Sequence, residues 1–88
     1  MDIAGKKAIV LGGTSGIGLA TSLMLVEKGA DVVAVSRDPS KAGDVPAGIR
    51  LAALDSRDSE AVEAFFIAEG DIDILVNSAT GGSRAFGP

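Results

Sequence analysis

Gly12, Gly16 and Gly18 give the spacing G-x-x-x-G-x-G, and the chemistry this spacing offers belongs to the backbone. Unpaired N–H groups at a helix start, reinforced by the positive end of the helix dipole, bind phosphate oxygens. Side chains in such a turn obstruct the approach, so glycine is needed at particular points. By itself the pattern also fits a glycine-rich turn of no function. Here an apolar run precedes it, a helical spacing follows, and a second apolar run comes next. That context favours a seat for the diphosphate of a dinucleotide. Gly12, Thr14, Ser15, Gly16, Ile17 and Gly18 are the candidate contacts.

Ser36 and Arg37 end the second apolar run. An acidic residue there would accept hydrogen bonds from the adenosine ribose and favour NAD(H). Ser36 instead brings no charge to repel a 2′-phosphate, and the Arg37 guanidinium can pair with one, which favours NADP(H). The competing reading is an ordinary solvated arginine at a strand end. Asp55 and Ser56 close the third apolar run on the same side. Asp55 suits the amino group of adenine and the Ser56 N–H a ring nitrogen; alternatively, Asp55 caps the next turn.

Four strands and two helices must position these groups. Lys7 opens the run Ala8–Leu11, apolar and partly β-branched, as in a parallel strand covered on both faces. Gly12–Gly18 then reads as a tight turn. A helix is expected from Ile17 to Lys28, with Ile17, Ala20 and Met24 as one apolar stripe and Leu19, Leu23 and Val26 as its neighbour. Thr21, Ser22, Glu27 and Lys28 are then left to face water, and Gly29 caps the end. Asp31–Ser36 is the second strand, Pro39–Ala42 leaves room for a helical turn, and Ile49–Leu54 is the third strand. Asp58 or Ser59 caps a helix running to Glu69, with Val62, Phe65 and Phe66 inward and Gly70 as its stop. Ile72–Val76 is the fourth strand, and residues 79–88 read as a flexible tail.

This order predicts an α/β fold: a doubly wound parallel sheet with strands in the order 3-2-1-4 and right-handed crossovers. The ligand crevice then opens between strands 1 and 4, where Gly12–Gly18 meets Asn77–Gly82. All 88 residues are expected to form one domain at most.

Composition narrows the chemistry further. With no Cys and no His, thiolate chemistry, disulfides and the commonest metal ligands are absent, and the scattered carboxylates form no metal-binding loop. A net charge of −4 without a basic stripe argues against a nucleic-acid partner. No apolar stretch approaches the roughly 20 residues of a membrane span, and no signal peptide is evident, so a cytoplasmic location is expected.

Leu11-Gly12-Gly13-Thr14-Ser15-Gly16-Ile17-Gly18, Asp55, and Asp73-Ile74-Leu75-Val76-Asn77-Ser78-Ala79 together resemble the short-chain dehydrogenase/reductase family over nearly the whole chain. The family's usual forms are T-G-x-x-x-G-I-G and D-x-L-V-N-N-A-G. Leu11 stands where threonine is usual, while Ser78 and Thr80 replace the second Asn and the Gly. The resemblance implies a Rossmann-like fold and an NAD(P)-dependent oxidoreductase. It places Gly12, Gly16, Ile17 and Gly18 along the diphosphate and Asp55 at the adenine. Asn77 and Ala79 fall near the adenosine and nicotinamide sides of the crevice, and Ser36-Arg37 looks like the pair of NADP-preferring members.

The family's chemistry uses a tyrosine with a nearby lysine and serine, all downstream of the region matched. This chain holds no Tyr, so no catalytic residue is assigned and no turnover is expected from it alone. The leading expectation is the cofactor half of a reductase, truncated after strand 4. Its alternatives are a non-catalytic NADP(H)-binding module and a structural remnant. A bare edge strand and a thinly covered sheet face lead to the further expectation of self-association or a missing C-terminal half.

Overall fold

The computed structural model describes residues 2–14, 16–43, 45–55 and 57–78. Its elements run β1 (Lys7–Leu11), α1 (Gly16–Glu27), β2 (Asp31–Ser36), a 3-10 turn (Pro39–Ala42), β3 (Ile49–Ala53), α2 (Ser59–Glu69) and β4 (Ile74–Asn77). The four strands form one parallel sheet in the order β3-β2-β1-β4, as the sequence predicts.

β1 and β2 are central because they are continuously aliphatic. Ala8, Ile9, Val10, Val32, Val33 and Ala34 are completely buried, which only a strand covered on both faces allows. Alternation divides them between two cores. Ala8, Val10, Val32 and Ala34 pack with Leu25 of α1 on one face. Ile9, Val33 and Val35 pack with Phe65 and Phe66 of α2 on the other. Each fully buried Ile or Val contributes about 1.5–3 kcal/mol relative to an exposed one. The flanking strands are thinly covered: Leu51 of β3 is 37% exposed and Leu75 of β4 is 56% exposed.

α1 corrects the expected face. Its buried residues are Gly18, Ser22 and Leu25, whereas Ile17 is 81% exposed and Met24 46%. Spacing of four and three places the buried trio on one stripe. Small residues win it because the helix lies directly on the β1–α1 turn. Ser22, expected in water, is fully buried and its Oγ shares its proton between the Gly18 carbonyl at 3.0 Å and the Gly13 carbonyl at 3.2 Å.

The boundaries of α1, β3 and β4 also differ. α1 begins at Gly16 rather than Ile17 and ends at Glu27, so the last glycines of the loop lie inside the first helical turn. β3 ends at Ala53 rather than Leu54. β4 starts at Ile74 rather than Ile72, and Ile72 packs beneath the sheet against the Ile9–Val33–Val35 core instead.

α2 follows its caps. The Asp58 carboxylate accepts from the Ala61 N–H at 3.1 Å, and Gly70 at φ 78° ends the helix by donating its N–H to the Phe66 carbonyl. Its C-terminal end is tied to the amino ends of the strands. Glu69 accepts from Arg50 through both carboxylate oxygens, at 2.9 and 3.1 Å, and pairs with Lys7 Nζ at 2.9 Å. These bonds hold the Glu69 carboxyl at about 2. Arg50 is correspondingly raised, chiefly by its hydrogen bond to Glu69.

Candidate dinucleotide site

The register brings the predicted residues to one edge of the sheet. Leu11 pairs with Val35 of β2 and with Asn77 of β4, and Ser36 pairs with Ala53 of β3. The residues that follow these strands therefore emerge side by side at their carboxyl ends. Gly12, Ser36-Arg37, Asp55 and Asn77 share that edge, and three interstrand steps from β4 to β3 span roughly 14 Å. An extended ligand crossing the sheet end would meet all four. Ser15, Ser56 and Ala79, candidates from the sequence, lie outside the described residues, as does the expected tail at 79–88.

The glycine turn is held from below. The N–H groups of Gly12 and Gly13 both donate to the Val35 carbonyl, at 2.7 and 3.2 Å, folding the chain over the end of β2. Gly12 has φ 78° and Gly16 φ 57°, conformations glycine adopts without steric penalty. The glycines differ in purpose. A β-carbon on Gly18 would lie 1.9 Å from the Gly12 carbonyl oxygen, so Gly18 is required for packing. A β-carbon on Gly16 would meet nothing within 4 Å, so its bare backbone borders open space. Thr14 is buried in the turn, while Ile17 stands exposed on the first turn of α1 beside it.

The two helix starts differ electrostatically. α2 begins with its own carboxylates, Asp58 as cap and Glu60 in the first turn. α1 has no acidic residue in its first turn, so the positive end of its dipole is not neutralised by a carboxylate there. That end adjoins the open side of Gly16, which is the arrangement an anion requires.

At the end of β2, the Ser36 Oγ is buried and has no hydrogen-bond partner among the described residues. A buried hydroxyl without a partner is costly, and such an atom is accounted for where a ligand supplies the missing bond. Arg37 follows it on the surface. The neighbouring Asp38 carboxylate accepts from the Ser40 N–H at 3.2 Å and from the Ser40 hydroxyl, capping the 3-10 turn.

At the end of β3, Asp55 is engaged by a residue the sequence reading did not single out. Arg57 donates to Asp55 Oδ1 from its Nε and to Oδ2 from its Nη2, each at 3.0 Å, and its backbone N–H also reaches Oδ1 at 3.0 Å. The guanidinium bonds, the backbone bond and the nearby charges of Arg57 and Arg37 hold the Asp55 carboxyl at about 2. Asp55 thus makes the local turn that was its alternative reading, while Asp58 caps the helix. The spacing D-x-R was the available signal for the pairing.

Together these features fit a dinucleotide: an open glycine turn at a helix start with no acidic residue in its first turn, an orphaned hydroxyl beside a cation, and an oriented carboxylate along one line. Among the described residues, no group of three or more His, Cys, Asp or Glu could hold a metal ion. No helix among them is long and apolar enough to cross a membrane.

The chain is similar in sequence and in fold to known proteins. Residues 6–87 match the family described as short chain dehydrogenase. L-xylulose reductase of Mesocricetus auratus is 40% identical over 83 residues, covering 90% of this chain and 34% of that protein. Its counterpart in Mus musculus is 39% identical over 82 residues, with the same coverage. A solved short chain dehydrogenase/reductase family protein superposes with a TM-score of 0.81 at 40% identity, over 90% of this chain and 35% of that one. Thermoplasma acidophilum aldohexose dehydrogenase gives 0.76 at 29% identity, over 89% of this chain and 31% of the other. This chain therefore spans about a third of the length of the relatives it matches. By its sequence over residues 6–87 and by its Rossmann-like fold, it belongs to the short-chain dehydrogenase/reductase family of NAD(P)-binding oxidoreductases.

Proposed function

We propose that this chain is the NADP(H)-binding part of a short-chain oxidoreductase, residues 1–88 contributing the first portion of one dinucleotide-binding domain. The observation that carries the preference for the 2′-phosphate is the buried, unpartnered Ser36 hydroxyl directly followed by the exposed Arg37. A phosphate there accepts from the hydroxyl and pairs with the guanidinium. A free ribose hydroxyl satisfies the first group and leaves the second in water.

In this reading the diphosphate lies on the backbone of Gly12, Thr14, Ser15, Gly16, Ile17 and Gly18, the adenine at Asp55 and Ser56, and Asn77 and Ala79 lie near the adenosine and nicotinamide sides of the crevice. The bound cofactor supplies hydride chemistry. The protein residues described here bind and orient it. The 88 residues contain no Tyr, His or Cys to move a proton near neutral pH. Binding without turnover is accordingly expected from this stretch alone, in the cytoplasm.

Exposed apolar residues add an expectation about association. Ile17, Ile67 and Leu75 are 81%, 74% and 56% exposed, and Leu75 lies on the edge strand β4. Such surfaces self-associate unless covered, and sedimentation of the isolated chain is expected to show species larger than a monomer.

Calorimetric titration with NADPH and NADH, with the thermal transition followed in parallel, tests the cofactor reading. Tighter NADPH binding and a raised transition support it; equal affinities remove the role given to Arg37. Absence of binding to either rejects the reading for this chain.

A further inference from the structure

We infer that Arg57 is the positioning residue that makes the adenine end of this site selective for an amino-bearing base. The inference rests on the dinucleotide reading and concerns what Asp55 presents to the base.

A carboxylate has two oxygens and about four acceptor positions. Among the described residues, Asp55 Oδ1 accepts both the Arg57 backbone N–H and Nε, while Oδ2 accepts Nη2 alone. One acceptor position on Oδ2 remains. The backbone bond by itself pins Oδ1 and leaves the carboxylate plane free to turn. The second, parallel bond from the planar guanidinium fixes that plane, as a bidentate fork does and a single donor does not. Arg57 therefore converts a swivelling acceptor into one with a single direction. The carboxyl is ionised throughout the neutral range with or without Arg57, so Oδ2 is an acceptor there and does not donate.

A fixed, donor-less acceptor discriminates between purine edges. The exocyclic amino group of adenine donates to it. The carbonyl of hypoxanthine at the same position presents oxygen to oxygen, an unpaired and repulsive contact. An unanchored carboxylate would rotate away and tolerate either base. The pair adds little to folding, because Arg57 is 74% exposed and Asp55 40%, and exposed ion pairs are weak stabilisers. Its effect belongs to recognition, at the carboxyl end of β3.

The test compares NADPH with its hypoxanthine counterpart by calorimetry on the full 88-residue chain, using wild type, Arg57→Gln, Asp55→Asn and the double variant. Wild type is expected to bind the adenine form about tenfold more tightly. Arg57→Gln should reduce that ratio to about threefold or less. Its thermal transition and its NADPH-to-NADH ratio should stay where they were. Asp55→Asn should lose the preference as well, and the double variant should lose no more than either single one. If Arg57→Gln keeps the wild-type adenine preference, Arg57 does not position Asp55 and the inference fails while the cofactor reading stands. A collapse of the NADPH-to-NADH ratio instead would make Arg57 a phosphate ligand and also overturn it. Failure of wild type to bind any dinucleotide rejects the cofactor reading itself, and this inference with it.

Discussion

Gly18 faces the Gly12 carbonyl so closely that a β-carbon at position 18 would lie 1.9 Å from that oxygen. Both partners are backbone, so neither can swing aside. This contact sets how near the start of α1 comes to the end of β1, and therefore where the helix dipole points. Gly18→Ala is expected to cost about 3 kcal/mol or more, read as a lost or strongly lowered unfolding transition.

Gly16→Ala separates fold from binding at the same loop. Gly16 has φ 57°, and its β-carbon would meet nothing within 4 Å. The penalty is the left-handed backbone alone, about 1–2 kcal/mol. The chain should still unfold cooperatively, while dinucleotide affinity drops about tenfold or more because the methyl occupies the phosphate's approach. Calorimetry beside urea denaturation checks both halves, and unchanged affinity would move the diphosphate elsewhere.

Ser22 shows what a helical pattern does not disclose. Its Oγ bonds the Gly13 and Gly18 carbonyls from a fully buried position. Ser22→Ala should lose about 1–2 kcal/mol. Ser22→Val should lose about 1–3 kcal/mol beyond that, because the Ser22 side chain is fully buried against Gly13 and branching there overpacks the crossing. In urea, Ser22→Ala as stable as wild type would show that the hydroxyl contacts do not matter, and Ser22→Val as stable as Ser22→Ala would show that the crossing has room for branching.

The sheet order, β2, the turn at Pro39 and the caps of α2 were legible because each rests on local signals: aliphatic runs, prolines, and Asp58 and Gly70 at the helix ends. The inner face of α1 was not. Apolar residues nearly encircle that helix, so bulk hydrophobicity could not choose a side, and the choice fell to the smallest residues where backbones approach. Asp55, Ser36 and the glycine turn stand out as candidates from their places at strand ends. The grip of Arg57 on Asp55 was missed because charged side chains two apart in a loop pair only when the backbone turns them together. Lys7, Arg50 and Glu69 were missed for a different reason. They lie on three elements and meet only once the sheet and α2 have packed.

Arg37→Ala tests the phosphate assignment directly. Loss of a charge-assisted bond to the 2′-phosphate should weaken NADPH binding about tenfold or more, with NADH affinity changed by about threefold at most. The NADPH-to-NADH ratio is the informative quantity, since a general disturbance of the site lowers both affinities together. A ratio unmoved by the substitution would leave Arg37 as a solvated strand-end arginine.

Glu69 governs the acid limit of the fold. Its carboxyl is held at about 2 by hydrogen bonds from Arg50 and Lys7, against an ordinary value of 4.5. Between those values the unfolded chain takes up a proton that the folded chain refuses, so stability falls as pH drops through this window. Above the unfolded value the contribution is fully present. Glu69→Gln should therefore cost about 1–3 kcal/mol at pH 7, and the gap from wild type should stay level down to about pH 5. It should then shrink as the pH approaches 2, where the wild-type carboxylate also protonates. Urea is the denaturant to use, because guanidinium chloride would screen the ion pairs. Asp55, depressed by its own arginine, titrates in the same range and remains in both proteins, so the difference between them isolates Glu69. A gap that persists undiminished at low pH would mean that the Gln side chain disturbs packing and that the ion pairs contribute nothing.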